Sequence, residues 1–316
     1  MGHRKHSAPR RGSLAYRPRG RAKSFVPRIR TWPKVDGDKP TLLGFPGYKA
    51  GTVHVITVDD RSKTPNFGKP LYNMSSVLTI PDTQVVGLRL YRHENGQDMA
   101  IGDVKQPGQT SEKLPIGRAT RAAAVISSVP RDVGLSQKKP LVMEVGVSGG
   151  DLKAQAELVL GLIGKKVKFT DVFKAGMYID VLGITKGKGY EGPVTRFGIK
   201  RKQHKSRKSV RAVGVIGPWH PAAVMYTIAR AGQMGFHQRT ETGKRILMVG
   251  NAQSDQITPT GGFGHFGNVG GEYVVVRGSV PGPASRFVMV RMKARGVAKS
   301  QAPPQVIEVS TMARKR

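Results

Sequence analysis

The chain has 316 residues, and its 53 Lys and Arg against 20 Asp and Glu give a formal net charge of +33. Its partners at neutral pH should therefore be polyanions, with nucleic acid favoured over an anionic membrane. The lack of cysteine excludes disulfides, cysteine-ligated zinc, iron–sulfur clusters and thiol catalysis, and no stretch approaches the roughly 18–20 apolar residues of a membrane span.

Residues 1–40 are predicted to form a basic N-terminal extension. The first thirty residues hold ten Lys and Arg, and the first acid in the chain is Asp36. Frequent prolines and weak apolar periodicity predict a segment that orders on a polyanion; a solubilising tail is the alternative. No apolar stretch follows the basic start, so no signal peptide is expected. The candidate RNA-binding residues here are Arg4, Lys5, Arg10, Arg11, Arg17, Arg19, Arg21 and Lys23.

Short strands dominate the rest of the chain. Asp151 is a candidate N-cap for a helix that ends before Gly164, and a second helix is predicted from Pro221 to 231, with Gly232 at its C-terminal end. Residues 118–128 fit either a helix or a strand. Runs rich in β-branched residues between Gly and Pro turns predict strands at 51–58, 85–91, 141–147, 178–185, 245–249, 273–280 and 287–292.

This balance of elements predicts a mainly β fold. Residues 41–85 and 166–295 are assigned to a β-barrel, and residues 86–165 to an inserted α+β lobe. Residues 296–316 are assigned to a C-terminal tail.

The most informative stretch begins at Arg196. Residues 196–211 hold eight Lys and Arg and no acid, so the segment repels itself unless a polyanion lies along it. The run leads to Trp219, which stands between Pro218 and His220. An aromatic there can stack on an unpaired base, whereas an ordinary core position is the alternative. Residues 196–240 are therefore predicted to form an extended finger within the barrel domain.

Two glycine-rich segments match G-x-G-x-x-G. Residues 187–192 follow a predicted strand, but the helix that a dinucleotide site needs is not predicted after Pro193. A flexible loop that approaches phosphate, with Lys186 and Lys188 supplying charge, is the favoured interpretation. Residues 262–267 match by chance. The surrounding segment 261–267 is either an RNA-facing loop or, as favoured here, a tight turn with its two Phe packed inward.

The eight histidines form no metal-binding pattern. His204, His220 and His237 lie in the basic region and are expected to stack on or hydrogen-bond to RNA, while His54 is expected to be structural. The carboxylates are few and scattered, and no nucleophilic triad is present. No metal, cofactor or small-molecule substrate is expected, and the chain is not predicted to be an enzyme.

One set of residues stands, without a gap, at the spacing of a family signature: Phe173, Asp180, Gly183, Thr185, Gly187, Lys188, Gly189, Gly192 and Arg196. On these residues the chain resembles the family of large-subunit ribosomal protein L three, in its archaeal form. Blocks at 231–235 and 277–282 resemble segments also present in bacterial members. The blocks at 2–10 and 217–221 resemble the archaeal and eukaryotic branch.

The resemblance implies a cytoplasmic constituent of the large ribosomal subunit. Family members bind the rRNA near its 3′ end, nucleate assembly, and contain a Greek-key barrel like that of translation factors. A finger reaches toward the peptidyl transferase centre, with Trp219 at its tip and residues 196–211 as one of its strands. Gln233 matches a glutamine that is methylated in bacterial members, and His204 lies near the place of a histidine methylated in some eukaryotes. The ribosomal protein L fourteen family is the expected neighbour.

The remaining candidate rRNA-binding residues are basic, aromatic or amide side chains in and beside the finger. If the chain is not a ribosomal protein, the alternative functions are an RNA-modifying enzyme with a basic guide surface and a basic DNA-packing protein. These remaining candidates are Lys186, Lys188, Arg196, Lys200, Arg201, Lys202, His204, Lys205, Arg207, Lys208, Arg211, Trp219, His220, Arg230, Gln233, His237 and Arg239.

Overall fold

The computed structural model describes residues 10–35, 37–105, 114–206, 209–296 and 302–310. The fold is mainly β, as the sequence predicts. One-turn 3-10 helices lie at Ile116–Arg118, Pro130–Val133 and Phe169–Asp171. The strands and α-helices are β1 (Thr41–Leu42), β2 (Gly44–Val58), β3 (Pro70–Thr79), β4 (Thr83–Glu94), β5 (Gln97–Val104), β6 (Arg121–Ser128), β7 (Leu141–Ser148), α1 (Leu152–Leu162), β8 (Lys166–Val167), β9 (Tyr178–Ile184), β10 (Gly187–Glu191), α2 (Pro193–Phe197), β11 (Gly232–Gly235), β12 (Gln238–Asn251), β13 (Glu272–Arg277), β14 (Phe287–Met292) and β15 (Val306–Ser310).

The chain divides into two compact units. The smaller one, here called the basic unit, comprises residues 1–23 and 185–238. The larger one, the sheet unit, comprises residues 24–184 and 239–316.

A seven-stranded antiparallel sheet in the sheet unit closes on itself. Its order is β14-β9-β12-β13-β3-β2-β15, and β14 also pairs with β2. The hydrogen-bonded path through six strands therefore returns to its start, and β15 adds to the edge of β2. The apolar runs Tyr273–Val276 of β13 and Phe287–Val290 of β14 are fully buried, as expected for strands covered on both faces.

A second sheet has the order β1-β7-β6-β4-β5, with β8 paired to β4. Helix α1 buries Ala156 and Val159 in the same apolar cluster as Leu88 of β4. Aromatic packing continues from Phe45 of β2 to Phe169, whose ring centroids are 5.5 Å apart in an edge-to-face arrangement. Both sheets of this unit thus share one hydrophobic core, which buries apolar surface that neither could bury alone.

Most sequence-based elements of this unit are confirmed and several are longer than predicted. The ambiguous segment 118–128 is largely the strand β6, and Asp151 occupies the N-cap of α1 without a side-chain capping bond. The segment 261–267 is a tight turn, as favoured: Phe263 is buried and exchanges backbone hydrogen bonds of 2.9 Å with Gly267. His54 lies exposed on β2.

The sheets divide the chain differently from the predicted boundaries. Residues of β1 and β8, assigned to the barrel from sequence, pair within the second sheet. The predicted C-terminal tail contains β15, which pairs with β2. Strand pairing between distant segments decides these boundaries, and local sequence carries little information about it.

Among the described residues, no helix is long and apolar enough to cross a membrane.

Candidate nucleic-acid interface

The basic unit concentrates the charge of the protein. It holds nineteen Lys and Arg and a single acid, Glu191, so about a quarter of the chain carries +18 of the net +33. Among its described residues only His237 is buried. With so little apolar burial to oppose the repulsion between its cations, this unit has the character of a surface that needs a polyanion.

A two-stranded antiparallel sheet and one helical turn organise the unit; the sheet is here called the hairpin, although about forty residues of chain separate its two strands. Strands β10 and β11 pair antiparallel, and α2 follows with Pro193 in its first turn and Gly198 in the left-handed conformation at its C-cap. Pro193 favours helix initiation because its fixed backbone angle suits the first turn and its missing N–H has no partner to lose. This corrects two sequence-based expectations: residues 187–192 are a hairpin strand and its connection rather than a flexible loop, and a helix does follow them.

Arg196 connects helix α2 to the chain around β11 through two hydrogen bonds. Its Nε donates to the carbonyl oxygen of Gln233 at 3.0 Å, and its Nη1 donates to that of Arg230 at 3.0 Å. Burial is the main cause that lowers the pKa of Arg196, with the charge of Arg17 adding to it. A Cβ at Gly232 would lie 2.9 Å from the guanidinium, so glycine at this position leaves room for the Arg196 side chain.

Backbone and histidine contacts attach the N-terminal extension to the hairpin. The Ala22 N–H donates to the Phe236 carbonyl at 2.8 Å. The buried His237 ring lies with Nδ1 2.8 Å from the carbonyl oxygen of Gly20, so Nδ1 must carry the proton. His237 therefore holds the extension in this structure, and a direct RNA contact by its ring stays a prediction.

Further contacts join extension and finger. Arg10 donates to the Thr227 carbonyl at 2.9 Å, and Arg11 donates to the Gly198 carbonyl. The Arg17 guanidinium lies 4.9 Å from the centre of the Tyr226 ring, and that of Arg19 lies 4.7 Å from the Phe197 ring. Cation–π contacts of this kind order arginines without neutralising their charge.

The predicted site residues differ in their exposure. Arg19, Arg196, Lys202, Gln233 and Arg239 are partly buried, and Arg239 lies in the sheet unit. Arg4, Lys5, Arg207 and Lys208 lie outside the described residues. The exposed ones are Arg10, Arg11, Arg17, Arg21, Lys23, Lys186, Lys188, Lys200, Arg201, His204, Lys205, Arg211, Trp219, His220 and Arg230.

Trp219 is 88% exposed, which confirms the expectation that it is not a core residue. The predicted helix 221–231 is wrong, since these residues form bends and turns. The apolar face expected of this helix was Val224, Met225 and Ile228. Ile228 is partly buried, but Val224 and Met225 are exposed, and a short helix with so little of its apolar side covered is marginal in water.

The basic run also lacks the strand expected from the family resemblance. Its described residues continue from α2 into irregular structure, in which the Lys202 N–H donates to the Val210 carbonyl at 3.0 Å. Repulsion between like-charged side chains disfavours regular pairing with a neighbouring strand.

Sequence reasoning missed two aromatic residues of this unit. Tyr190 is 79% exposed beside Lys188, and Phe236 adopts a positive φ of 54°. The position of an aromatic residue two places after Lys188, in a glycine-rich segment, was a usable signal for Tyr190. The backbone conformation of Phe236 depends on its pairing and had no local signal.

The sheet unit contains a cavity of about 1050 Å³ whose carboxylates are paired. Glu144 lies 2.5 Å from Arg89 and accepts from the Tyr91 hydroxyl at 2.6 Å, and Asp98 lies 2.7 Å from His93. The described residues contain no group of three His, Cys, Asp or Glu that could hold a metal ion.

The chain is similar to known ribosomal proteins over nearly its whole length. The family model described as Ribosomal protein L3 matches residues 1–114 and 115–311. Large ribosomal subunit protein uL3 of Methanococcus maripaludis (strain C6) is 40% identical over 328 residues, with 97% of each chain covered. The proteins of that name from Pyrobaculum calidifontis and Caldivirga maquilingensis are 42% and 43% identical, covering 97% and 91% of this chain and 98% and 90% of their own.

Proposed function

Because the chain belongs to the ribosomal protein L3 family, we propose that it is a structural constituent of the large ribosomal subunit that binds rRNA through its basic unit. The binding site lies near the 3′ end of the large-subunit rRNA, where the protein nucleates assembly. The closed strand ring is the Greek-key barrel of this family. A member of the ribosomal protein L fourteen family is the proposed neighbour.

The observation that carries this proposal is the charge of the basic unit. The unit contains nineteen Lys and Arg and one acidic residue, and only His237 among its described residues is buried. Ordering a residue costs about 1–2 kcal/mol of conformational entropy, which apolar burial does not offset in such a unit. Phosphate binding supplies the missing stabilisation, because each neutralised phosphate releases condensed counterions.

The finger tip is proposed to contact RNA by stacking. Trp219 is almost fully exposed at the end of the charged run, with exposed His220 beside it. Stacking on an unpaired base contributes about 1–3 kcal/mol per base. By family resemblance, this tip lies toward the peptidyl transferase centre.

The test is binding of the purified protein to separate large-subunit rRNA domains across a salt series, with duplex DNA as competitor. We expect selective binding to the 3′ domain that weakens steeply with salt. The test variant replaces three exposed lysines of the basic unit with Gln: Lys186, Lys188 and Lys200. The matched control replaces three exposed lysines of the sheet unit: Lys63, Lys138 and Lys139.

If all three lysines contact phosphates, the test variant should lower the slope of log K against log salt by about 2–3, since each contact contributes roughly 0.7–0.9. The control variant of the sheet unit should change this slope less. Equal binding to every rRNA domain and to duplex DNA would contradict the proposal and favour a DNA-packing protein. Equal effects of the two variants would show that net charge, rather than the basic unit, determines binding.

A further inference from the structure

We infer that a cleft between the N-terminal extension and the β10–β11 hairpin holds a single unpaired RNA nucleotide. The cleft lies wholly within the basic unit and has a volume of about 690 Å³. That volume is within the range of roughly 300–1,000 Å³ typical of small-ligand sites. The inference rests on the proposed function, since it names what one part of the rRNA-binding surface recognises.

One wall of the cleft is cationic and held in place. Arg21 and Lys23 line it from the extension, and Ala22 between them donates its N–H to the Phe236 carbonyl at 2.8 Å. The contact of His237 with the Gly20 carbonyl, at 2.8 Å, fixes the chain just before them. Arg21 and Lys23 are exposed, and none of the ion pairs among the described residues involves either. They are placed to bind a phosphate.

The opposite wall exposes backbone. Gly187 and Gly189 line the cleft, and the strand register changes between Gly187 and Tyr190. Such a bulge leaves an extra residue outside the ladder, and bulges often occur next to functional sites. Gly189 has a positive φ of 71° and open space where a Cβ would lie. A phosphate or ribose can therefore approach this backbone closely.

Phe236 and Gln233 complete the cleft with groups suited to a base and a ribose. The positive φ of 54° at Phe236 is rare for an aromatic residue, and its N–H bond of 3.1 Å to the Lys186 carbonyl holds it there. Strained backbone of this kind clusters at binding sites. Gln233 donates its Nε2 to the Gly235 carbonyl at 3.0 Å, which leaves its amide oxygen to accept from a base N–H or a ribose 2′-hydroxyl.

These features together favour RNA in single-stranded form. Unpaired nucleotides present a base face for stacking and a 2′-hydroxyl, which are the groups that proteins use to recognise RNA outside its helices. A base paired within a helix offers neither its face nor its pairing edge. The cleft thus supplies a contact to one nucleotide that exposed cations alone do not supply.

The experiment is chemical probing, at nucleotide resolution, of 2′-hydroxyl reactivity in the 3′ domain of large-subunit rRNA bound to the full-length protein. Two variants each remove one kind of contact in the cleft. Arg21→Gln with Lys23→Gln removes the proposed phosphate contacts, and Gln233→Leu removes the amide oxygen that would accept a hydrogen bond from the nucleotide. The control variant, Lys200→Gln with Arg201→Gln, removes the same charge from exposed positions of the same unit that do not line the cleft. Each variant is probed at saturating protein.

We expect the wild-type protein to protect one unpaired nucleotide whose 2′-hydroxyl reactivity rises about fivefold or more in both cleft variants, while the rest of the footprint stays. The control should weaken binding and keep that protection. Arg21 and Lys23 are exposed, so their variant does not depend on refolding of a core. If cleft variants and control leave the same footprint, the inference is overturned while the proposed function stands. If the wild-type protein does not bind the 3′ domain, the proposed function is contradicted, and the inference that rests on it is contradicted as well.

Discussion

Replacing Asp180 with Ala should be among the most destabilising single changes in the sheet unit. This family-signature carboxylate is 1% exposed and accepts three hydrogen bonds. Its partners are the Arg291 guanidinium at 2.7 Å, the Gly243 N–H at 3.0 Å and the Ala294 N–H at 3.1 Å. The substitution leaves a buried guanidinium without its counterion, which costs about 3–5 kcal/mol. Arg291 keeps its bond to the Thr31 carbonyl, so we expect the lower half of that range.

The assay is chemical denaturation in a Trp219→Phe background. Trp32 is then the one tryptophan left in the chain, and its ring packs against Gly44 and Gly146 of the sheet unit. Asp103→Ala serves as a matched control, because both side chains of its bridge to Arg89 are about one-third exposed and Arg89 keeps Glu144 as a second partner. That bridge should therefore contribute at most about 1 kcal/mol.

A double-mutant cycle separates charge from packing. In an Arg291→Leu background, Asp180→Ala no longer leaves a buried cation without its counterion. The loss in free energy of unfolding that Asp180→Ala causes should therefore fall by at least about half. An Asp180→Ala cost below about 1 kcal/mol, or one that is unchanged in the Arg291→Leu background, would refute the reasoning.

Three further changes have distinct expected outcomes. Trp219→Ala should alter thermal stability by no more than about 0.5 kcal/mol, because the side chain is 88% exposed; a larger loss would place it in a core. His237→Ala leaves the Gly20 carbonyl without its donor, a loss of about 1–3 kcal/mol, and should speed tryptic cleavage of the extension while leaving the melting of the sheet unit unchanged. Asp60 has a pKa lowered mainly by its hydrogen bond with Arg245, so its contribution is present above about pH 4 and is lost as the pH falls through the folded-state pKa. The stability difference between wild type and Asp60→Asn should therefore narrow below about pH 4; a difference that is constant with pH would contradict this.

The sequence was most informative where one residue's environment is set locally. The strand β14 follows the predicted boundaries 287–292, because an apolar run between turn residues leaves few other choices. The exposure of Trp219 was also predictable, since the charged run before it cannot enter a core.

Elements that depend on distant partners were not predictable. Strand β3 leaves Tyr72 and Met74 of its first half exposed and is stabilised by pairing with both β2 and β13. The hairpin of β10 and β11 joins glycine-rich segments more than forty residues apart, whose own sequences favour loops. The predicted helix at 221–231 failed for the opposite reason: its local pattern was adequate, but Val224 and Met225 stay exposed, so little apolar burial would stabilise a helix there.

The candidate cleft shows the same limit at a functional site. Gln233 was identified from family resemblance and Arg21 from charge, but nothing in the sequence placed them around one cavity. Their meeting depends on the contact between His237 and Gly20, two residues 217 positions apart. Contacts of such separation are set by the fold as a whole, and local patterns do not encode them.

Stability and RNA binding should therefore respond to different substitutions in this protein. The sheet unit has buried apolar clusters and buried ion pairs such as that of Asp180 with Arg291, so it can fold on the free energy of its own contacts. The basic unit carries +18 with one buried residue among those described, so its own contacts are a few hydrogen bonds, and the proposed function adds phosphate. Added salt should screen the repulsion within the basic unit and weaken the proposed binding to RNA. Substitutions in the sheet unit should thus shift denaturation midpoints at any salt concentration, whereas substitutions of exposed cations should change mainly the salt dependence of RNA binding.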